Sequence, residues 1–244
     1  MNTTRAQRDQ KVESQAKGSQ KGAEGLSITE GFEKVPETRK TSVIEMMFGT
    51  NMSVLCGEYD IPTLHLKPGA IVLDIGANEG AFSAWALFRW QECKVIAYEP
   101  CKATFERLQK AMSEQTRVEL HRLAVTEREK PLLRYGANHH TENSIRDLGC
   151  QRFDGETVDT IKPFDLPFAD FLKIDTEGCE LEILSSYLNK HTPKGIALEW
   201  HSHEDRRELS KLLRAKGYKV SESPNVPVCI NKGVYIGVMK GWME

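Results

Sequence analysis

The chain has 244 residues, 39% hydrophobic and 28% charged, with a net charge of −2. That length is enough for one sizeable domain with its own core. The near-neutral balance lacks the basic excess expected of a general nucleic-acid binder, and no run approaches the ~20 apolar residues of a membrane span.

Residues 1–41 are rich in Gln, Lys, Glu, Ser and Gly and contain no apolar run of the signal-peptide kind. Such a segment buries too little apolar surface to offset its ordering entropy, so a disordered extension is expected. Residues 42–244 are expected to form the folded domain. The six cysteines, Cys56, Cys93, Cys101, Cys150, Cys179 and Cys229, are scattered and form no CxxC pair. This spacing argues against a zinc site or a disulfide framework and for free thiols in the cytoplasm.

Within the domain, "AIVLDIG" (70–76) predicts a buried strand ending in glycine, and 80–90 follows with helical spacing. "KVIAYEP" (94–100) is a second strand stopped by Pro100. Residues 102–112 predict an amphipathic helix with Phe105, Leu108 and Met112 on one face. Residues 117–125 read as a third strand. Residues 131–135 and 151–161 read as an irregular or hairpin insertion. "DFLKID" (170–175) is the fourth strand and 179–190 a helix with Leu181, Leu184 and Leu188 on one stripe. "GIALEWH" (195–201) is another strand, followed by a helix over 206–217 closed by Gly217. "YKVSE" and "GVYIGVMK" finish as antiparallel strands. Strands alternating with helices define a doubly wound α/β sheet.

The first strand runs into "DIGANEG", with Asp74, Gly76, Asn78 and Gly80. The dinucleotide fingerprint G-x-G-x-x-G is not met, because Asn78 replaces its second glycine and its third comes one place early. There is no Walker lysine either. A turn of this kind suits close approach of backbone to an amino-acid tail and a ribose, whereas Asp74 and Glu79 would repel a pyrophosphate. Asp74 is placed to accept hydrogen bonds from an ammonium group. Glu99, at the end of the second strand, stands where nucleotide folds keep an acid for ribose hydroxyls.

Three segments, "VLDIGANEGAFSAWA", "VIAYEP" and "FLKIDTEGCELEIL", together resemble the FkbM-type family of S-adenosylmethionine-dependent methyltransferases over roughly residues 60–205. The resemblance implies the class I methyltransferase Rossmann-like fold, a mostly parallel seven-stranded sheet with one antiparallel strand. It also implies S-adenosyl-L-methionine as methyl donor and O-methylation of a hydroxyl on a sugar, glycan or other small natural product. Carried over by position, Asp74, Gly76, Asn78 and Gly80 match the methionine-side loop, with Ala77 inside it. Glu99 matches the ribose acid, with Pro100 beside it, and Asp175 matches the acid after strand four. One departure stands out: many class I enzymes hold adenine with an Asp after strand three, where this chain has Leu123, Ala124 and Val125. An apolar and backbone adenine site is expected instead.

Strand four ends in Asp175-Thr176-Glu177-Gly178 and lacks the N/D-P-P-Y/F signature of amino-group methyltransferases, which favours hydroxyl acceptors. A hydroxyl is a poor nucleophile and needs a base or a metal. Asp74, Glu99, Asp175, Glu199 and His201 all fall at strand ends, where open α/β sheets bind ligands. Lys173 shares a face with Asp175 and is expected either to pair with it or to polarise the acceptor oxygen. His201, with an ordinary pKa near ~6.5, is the candidate general base. Asp175, Lys173 and His201 are therefore the catalytic candidates, and no resident metal is expected. A divalent ion held by Asp175, Glu177, Glu199 and His201 is the rival to this reading. Glu177 and Glu180 are read as favouring the next helix N-terminus, and Glu182 as solvated. The polar segment 139–149, with His139, His140, Asn143, Ser144 and Arg146, is a candidate cover over the site. The competing functions are a methyltransferase acting on RNA or protein, with Arg122, Arg128 and Lys130 as a possible basic patch, and a catalytically silent cofactor-binding module.

Overall fold

The computed structural model describes residues 54, 57–135, 143–145, 155–223, 226–229 and 234–243. The polar extension 1–41 and most of segment 139–149 lie outside them. Among the described residues no helix is long and apolar enough to cross a membrane.

The chain order is β1 (Ile71–Ile75), α1 (Ala81–Arg89), β2 (Lys94–Tyr98), α2 (Lys102–Ala111), β3 (Val118–His121), β4 (Ala124–Val125), β5 (Leu132–Arg134), β6 (Gly155–Thr157) and β7 (Thr160–Ile161). There follow β8 (Phe171–Ile174), α3 (Glu180–Tyr187), β9 (Gly195–Trp200), α4 (His203–Ala215), β10 (Lys219–Glu222), β11 (Val226–Cys229) and β12 (Val234–Trp242). The main sheet has the spatial order β10-β12-β9-β8-β1-β2-β3, with β11 also paired to β12. β9, β8, β1, β2 and β3 are mutually parallel. β12 runs antiparallel to the three strands it pairs with, β9, β10 and β11. That is the expected class I methyltransferase sheet, with its one reversed strand.

β1 and β8 read as continuous apolar runs because both faces of a parallel sheet are covered. On one face Val72, Val95 and Phe171 pack with Phe82 and Trp85 of α1 and Phe105 and Leu108 of α2. On the other, Leu73, Leu172 and Leu198 pack with Ile183, Leu184 and Tyr187 of α3 and Leu209 and Leu213 of α4. Helix placement thus switches face between β1 and β8, which are direct neighbours. Such a switch opens a crevice at the carboxyl ends of the two strands, where ligands bind.

Two expectations change and one alternative is resolved. The predicted third strand is broken at Arg122 and Leu123, and its last residues, Ala124 and Val125, leave the main sheet to pair in parallel with β7. Of the two readings of the insertion, irregular or hairpin, the pairing is that of a hairpin, with β5 antiparallel to β6. The last helix begins at His203 rather than Arg206, because the Ser202 side chain accepts a hydrogen bond from the Asp205 N–H at 3.0 Å and caps it.

Candidate active site

The turn after β1 is fixed by backbone geometry. The Gly76 and Ala77 N–H groups both donate to the Tyr98 carbonyl at 3.0 Å. Gly76 has φ +75°, and a Cβ there would stand 1.7 Å from the Asp175 carbonyl oxygen. Only glycine lets the end of β1 lie against the end of β8 this closely. Asn78 also has a positive φ, +50°, a conformation that Asn tolerates better than most residues. This points its N–H at Glu99 Oε2, 3.0 Å away. Gly80 then begins α1, packed so tightly that a Cβ would meet Met112 and Leu108.

Asp74 is fully buried, at 0% exposure. Its Oδ2 accepts from the Ser83 hydroxyl at 2.7 Å, and its Oδ1 lies 3.2 Å from Lys173 Nζ, an ion pair outside hydrogen-bonding direction. The ammonium beside Asp74 therefore comes from the chain itself. Lys173 Nζ also donates to the Gly76 carbonyl at 2.6 Å and lies 3.7 Å from Asp175 Oδ2. Burial pulls the Lys173 pKa down, yet Asp74 and Asp175 outweigh it and the net shift is upward. Lys173 thus stays charged and ties the β1 turn to the end of β8. Tyr59, which precedes β1, donates its hydroxyl to Asp175 Oδ2 at 3.2 Å.

Glu99 is buried too, and its two oxygens accept from the Asn78 and Cys101 N–H groups at 3.0 and 2.9 Å. Burial dominates over these bonds and pushes its pKa up to about 7. Glu99, Gly76, Asn78, Pro100 and Asp175 line one pocket, together with Tyr98, Thr104, Leu123, Ala124, Val125, Leu133, Ile145 and Thr176. Asp74, Ala77, Gly80, Lys173 and His201 are not in that lining and stand behind it. The wall at 123–125 is apolar, and the break of the third strand is what turns those residues toward the pocket. Asn78 Oδ1 is buried with no hydrogen-bond partner.

Beyond Asp175 lies a second group of charges. His201, 4% exposed, has Nε2 at 3.1 Å from Glu177 Oε2 and 3.7 Å from Glu199 Oε2. Its Nδ1 lies 3.2 Å from Glu180 Oε1. Burial lowers the His201 pKa, but Glu180 and Glu177 outweigh it and hold the pKa well above the usual histidine range. Burial drives Glu177 and Glu199 upward instead, aided by repulsion from Asp175 and opposed by His201. Glu180 is 0% exposed, and its Oε1 accepts from the Thr176 N–H and hydroxyl and from the Gly178 N–H at 3.0–3.1 Å. It does sit in the first turn of α3, but as a buried hub. Glu182 is anchored rather than solvated, accepting from Thr126 Oγ1 at 2.6 Å and the Glu127 N–H at 2.7 Å. Asp175, Glu177 and His201 each offer a ligand atom within 4.8 Å of the others.

Sequence reasoning missed Tyr59, Ser83 and the hub role of Glu180. Ser83 carried a readable signal, a lone hydroxyl inside the apolar run "AFSAWA" facing a strand-end acid. Tyr59 carried none, because it reaches the site through tertiary packing. Cys93, Cys101 and Cys179 are buried thiols outside any disulfide.

The sheet order and the crevice beside β1 and β8 define a class I methyltransferase fold. The family described as Methyltransferase FkbM domain matches residues 74–220, and the chain belongs to it. Methyltransferase sdnD of Sordaria araneosa is 23% identical over 204 residues, covering 67% of this chain and 78% of that protein. Among solved structures, precorrin-6y C5,15-methyltransferase from Geobacter metallireducens GS-15 superposes with TM-score 0.46 at 14% identity, covering 86% of this chain and 90% of that one. The fibrillarin/Nop5p complex gives 0.47 at 11% identity, covering 81% and 82%. These low scores add nothing to the sheet order.

Proposed function

We propose that the protein is an S-adenosylmethionine-dependent O-methyltransferase acting on a hydroxyl of a sugar, glycan or other small natural product. The observation that carries this is the convergence of the β1 turn, Glu99 and Asp175 on one pocket at the switch between β1 and β8. The donor set fits the cofactor: a buried carboxylate at the end of β2, an unpartnered Asn78 Oδ1, and an apolar wall of Leu123, Val125, Leu133 and Ile145. Glu99 is assigned the ribose hydroxyls, the Gly76–Gly80 backbone and Asn78 the amino-acid tail, and the wall the base. Bound there, S-adenosylmethionine supplies an electrophilic methyl on a sulfonium.

The rest of the chemistry belongs to the chain. Asp175 is the acid of the pocket whose position is set by a hydroxyl and an ammonium, from Tyr59 and Lys173. We assign it to orient the acceptor hydroxyl and take its proton. Lys173 acts by positioning Asp175 and Gly76, since its Nζ is spent on Asp74, Asp175 and the Gly76 carbonyl. His201 holds a proton between carboxylates, so it serves as a donor that orders Glu177 and Glu180, and the base role passes to Asp175. The buried thiols fit a cytoplasmic protein.

Calorimetry with S-adenosylhomocysteine tests the cofactor assignment. The wild-type chain is expected to bind, and Glu99→Ala to weaken binding at least ~10-fold, the size of about one lost charged hydrogen bond. No binding, or equal binding by the variant, overturns it. Screening sugar and lipid-linked extracts with labelled donor then identifies the acceptor.

A further inference from the structure

We propose that the ends of β8 and β9 form a binding site for a hard divalent cation, Mg²⁺ or Mn²⁺, with Asp175, Glu177 and His201 as its protein ligands. Two carboxylate oxygens from the loop after β8 and one imidazole nitrogen from the end of β9 already lie within 4.8 Å of one another. A mixed oxygen and nitrogen set of this kind suits Mg²⁺ or Mn²⁺ and leaves positions open for water or substrate.

Three features point to a cation rather than to a chance group of acids. The first is an imbalance of charge. Among the described residues, Asp74, Asp175, Glu177, Glu180 and Glu199 outnumber the cations paired with them, Lys173 and His201; Asp74, Glu180 and both cations are buried, and Asp175, Glu177 and Glu199 are 17–25% exposed at the side chain. Charges buried this way are normally paired or coordinate metals. The second is a buried polar atom without a hydrogen-bond partner. Glu180 Oε2 lacks one, although its residue is 0% exposed. The Glu180 carboxyl group faces the imidazole, whose opposite nitrogen is aimed at Glu177 and Glu199. The third is outer support of the sort that orders metal ligands. Glu180 sits behind the imidazole at Nδ1, and the Tyr59 hydroxyl sits behind Asp175.

An ion at this place takes the imidazole through an unprotonated Nε2, so any proton held between His201 Nε2 and Glu177, 3.1 Å apart, leaves to solvent on binding. Glu199, with Oε2 at 3.7 Å from Nε2, stands at the edge of the same space. Asp175 and Glu177 also line the cofactor pocket, so the ion sits where an acceptor oxygen would meet the methyl donor. The proposal rests on the reading of that pocket for its role. With the ion bound, Asp175 becomes a ligand, and the cation polarises the hydroxyl in its place.

The test is titration of the full chain, first stripped with EDTA and dialysed, with MnCl₂, followed by the loss of the free-Mn²⁺ electron paramagnetic resonance signal. One Mn²⁺ per chain is expected, competed by MgCl₂, with nitrogen coupling to the bound ion in its pulsed spectrum. Glu177→Gln should weaken binding at least 10-fold. His201→Ala should abolish the nitrogen coupling, and its circular dichroism reports whether it folds. Absence of Mn²⁺ binding at millimolar concentration, or equal affinity in Glu177→Gln, overturns the site. Parallel calorimetry with S-adenosylhomocysteine in EDTA separates the two readings. Cofactor binding without Mn²⁺ binding sinks only the cation site, whereas failure of cofactor binding sinks the methyltransferase assignment.

Discussion

Glu99 and Glu180 are both buried glutamates near strand ends of one sheet, and both accept backbone N–H bonds. Yet one has its pKa pushed up to about 7 and the other down to about 2, from the same starting value of 4.5. Burial raises both, and is the largest influence on each. The difference is the cation: Glu180 faces His201 at 3.2 Å, while Glu99 relies on neutral amides and a more distant Lys173. Backbone amides alone do not offset the desolvation of a carboxylate, and an adjacent imidazolium does. The end of β2 therefore keeps an acid that gains from new hydrogen-bond donors such as ribose hydroxyls. The start of α3 keeps one whose charge is already spent on holding the fold.

The largest expected effect comes from making the second region resemble the first. His201→Ala leaves Glu177, Glu180 and Glu199 buried without their cation and is expected to cost ~3–5 kcal/mol, measured by urea unfolding at pH 7. A loss below ~1 kcal/mol would mean that the imidazolium does not hold Glu180 down.

The next effect is a pH dependence of opposite sign at the two glutamates. Glu180 has a depressed pKa, so its contribution is present above 4.5 and lost as pH falls toward 2. Glu99 has a raised pKa, so the stability tied to its protonation is present below 4.5 and lost as pH rises through about 7. Each shift corresponds to ~3 kcal/mol. Glu99→Gln is expected to remove the Glu99 part of the slope between pH 4.5 and 7, leaving the acid limb in place. A variant whose stability curve runs parallel to wild type over that window contradicts the assignment.

Tyr59→Phe is the smallest. It removes one hydroxyl donor from the Asp175 carboxylate and should cost ~1.5–3 kcal/mol, with both glutamate limbs unmoved. A shift in either limb would show that Asp175 is electrically linked to them more strongly than its geometry implies.

Much of the fold was readable in the sequence because parallel strands buried on both faces announce themselves as apolar runs. β1, β2, β8 and β9 fall within a residue or two of their predicted limits. The third strand was over-extended for the same reason, since "RLAV" is apolar on account of a pocket wall and a second small sheet. In the site, the β1 turn and Glu99 follow local rules of glycine spacing and strand ends. The Lys173 pairing followed from side-chain alternation along a strand. What stayed hidden depends on distance through space: Tyr59 reaching Asp175 across 116 positions of sequence, and Glu180 turning inward toward a strand end beyond its own helix.

The reversed strand carries a consequence for how the chain matures. β12 follows every other strand of the main sheet in sequence, yet it is inserted between β9 and β10. During synthesis the β9 edge therefore has no neighbour on that side until Val234–Trp242 has emerged, and open strand edges recruit other chains. A nascent or truncated protein lacking that one segment would carry an open edge on β9 as well as on β10, so aggregation should be far more sensitive to losses there than to equal losses in the loops.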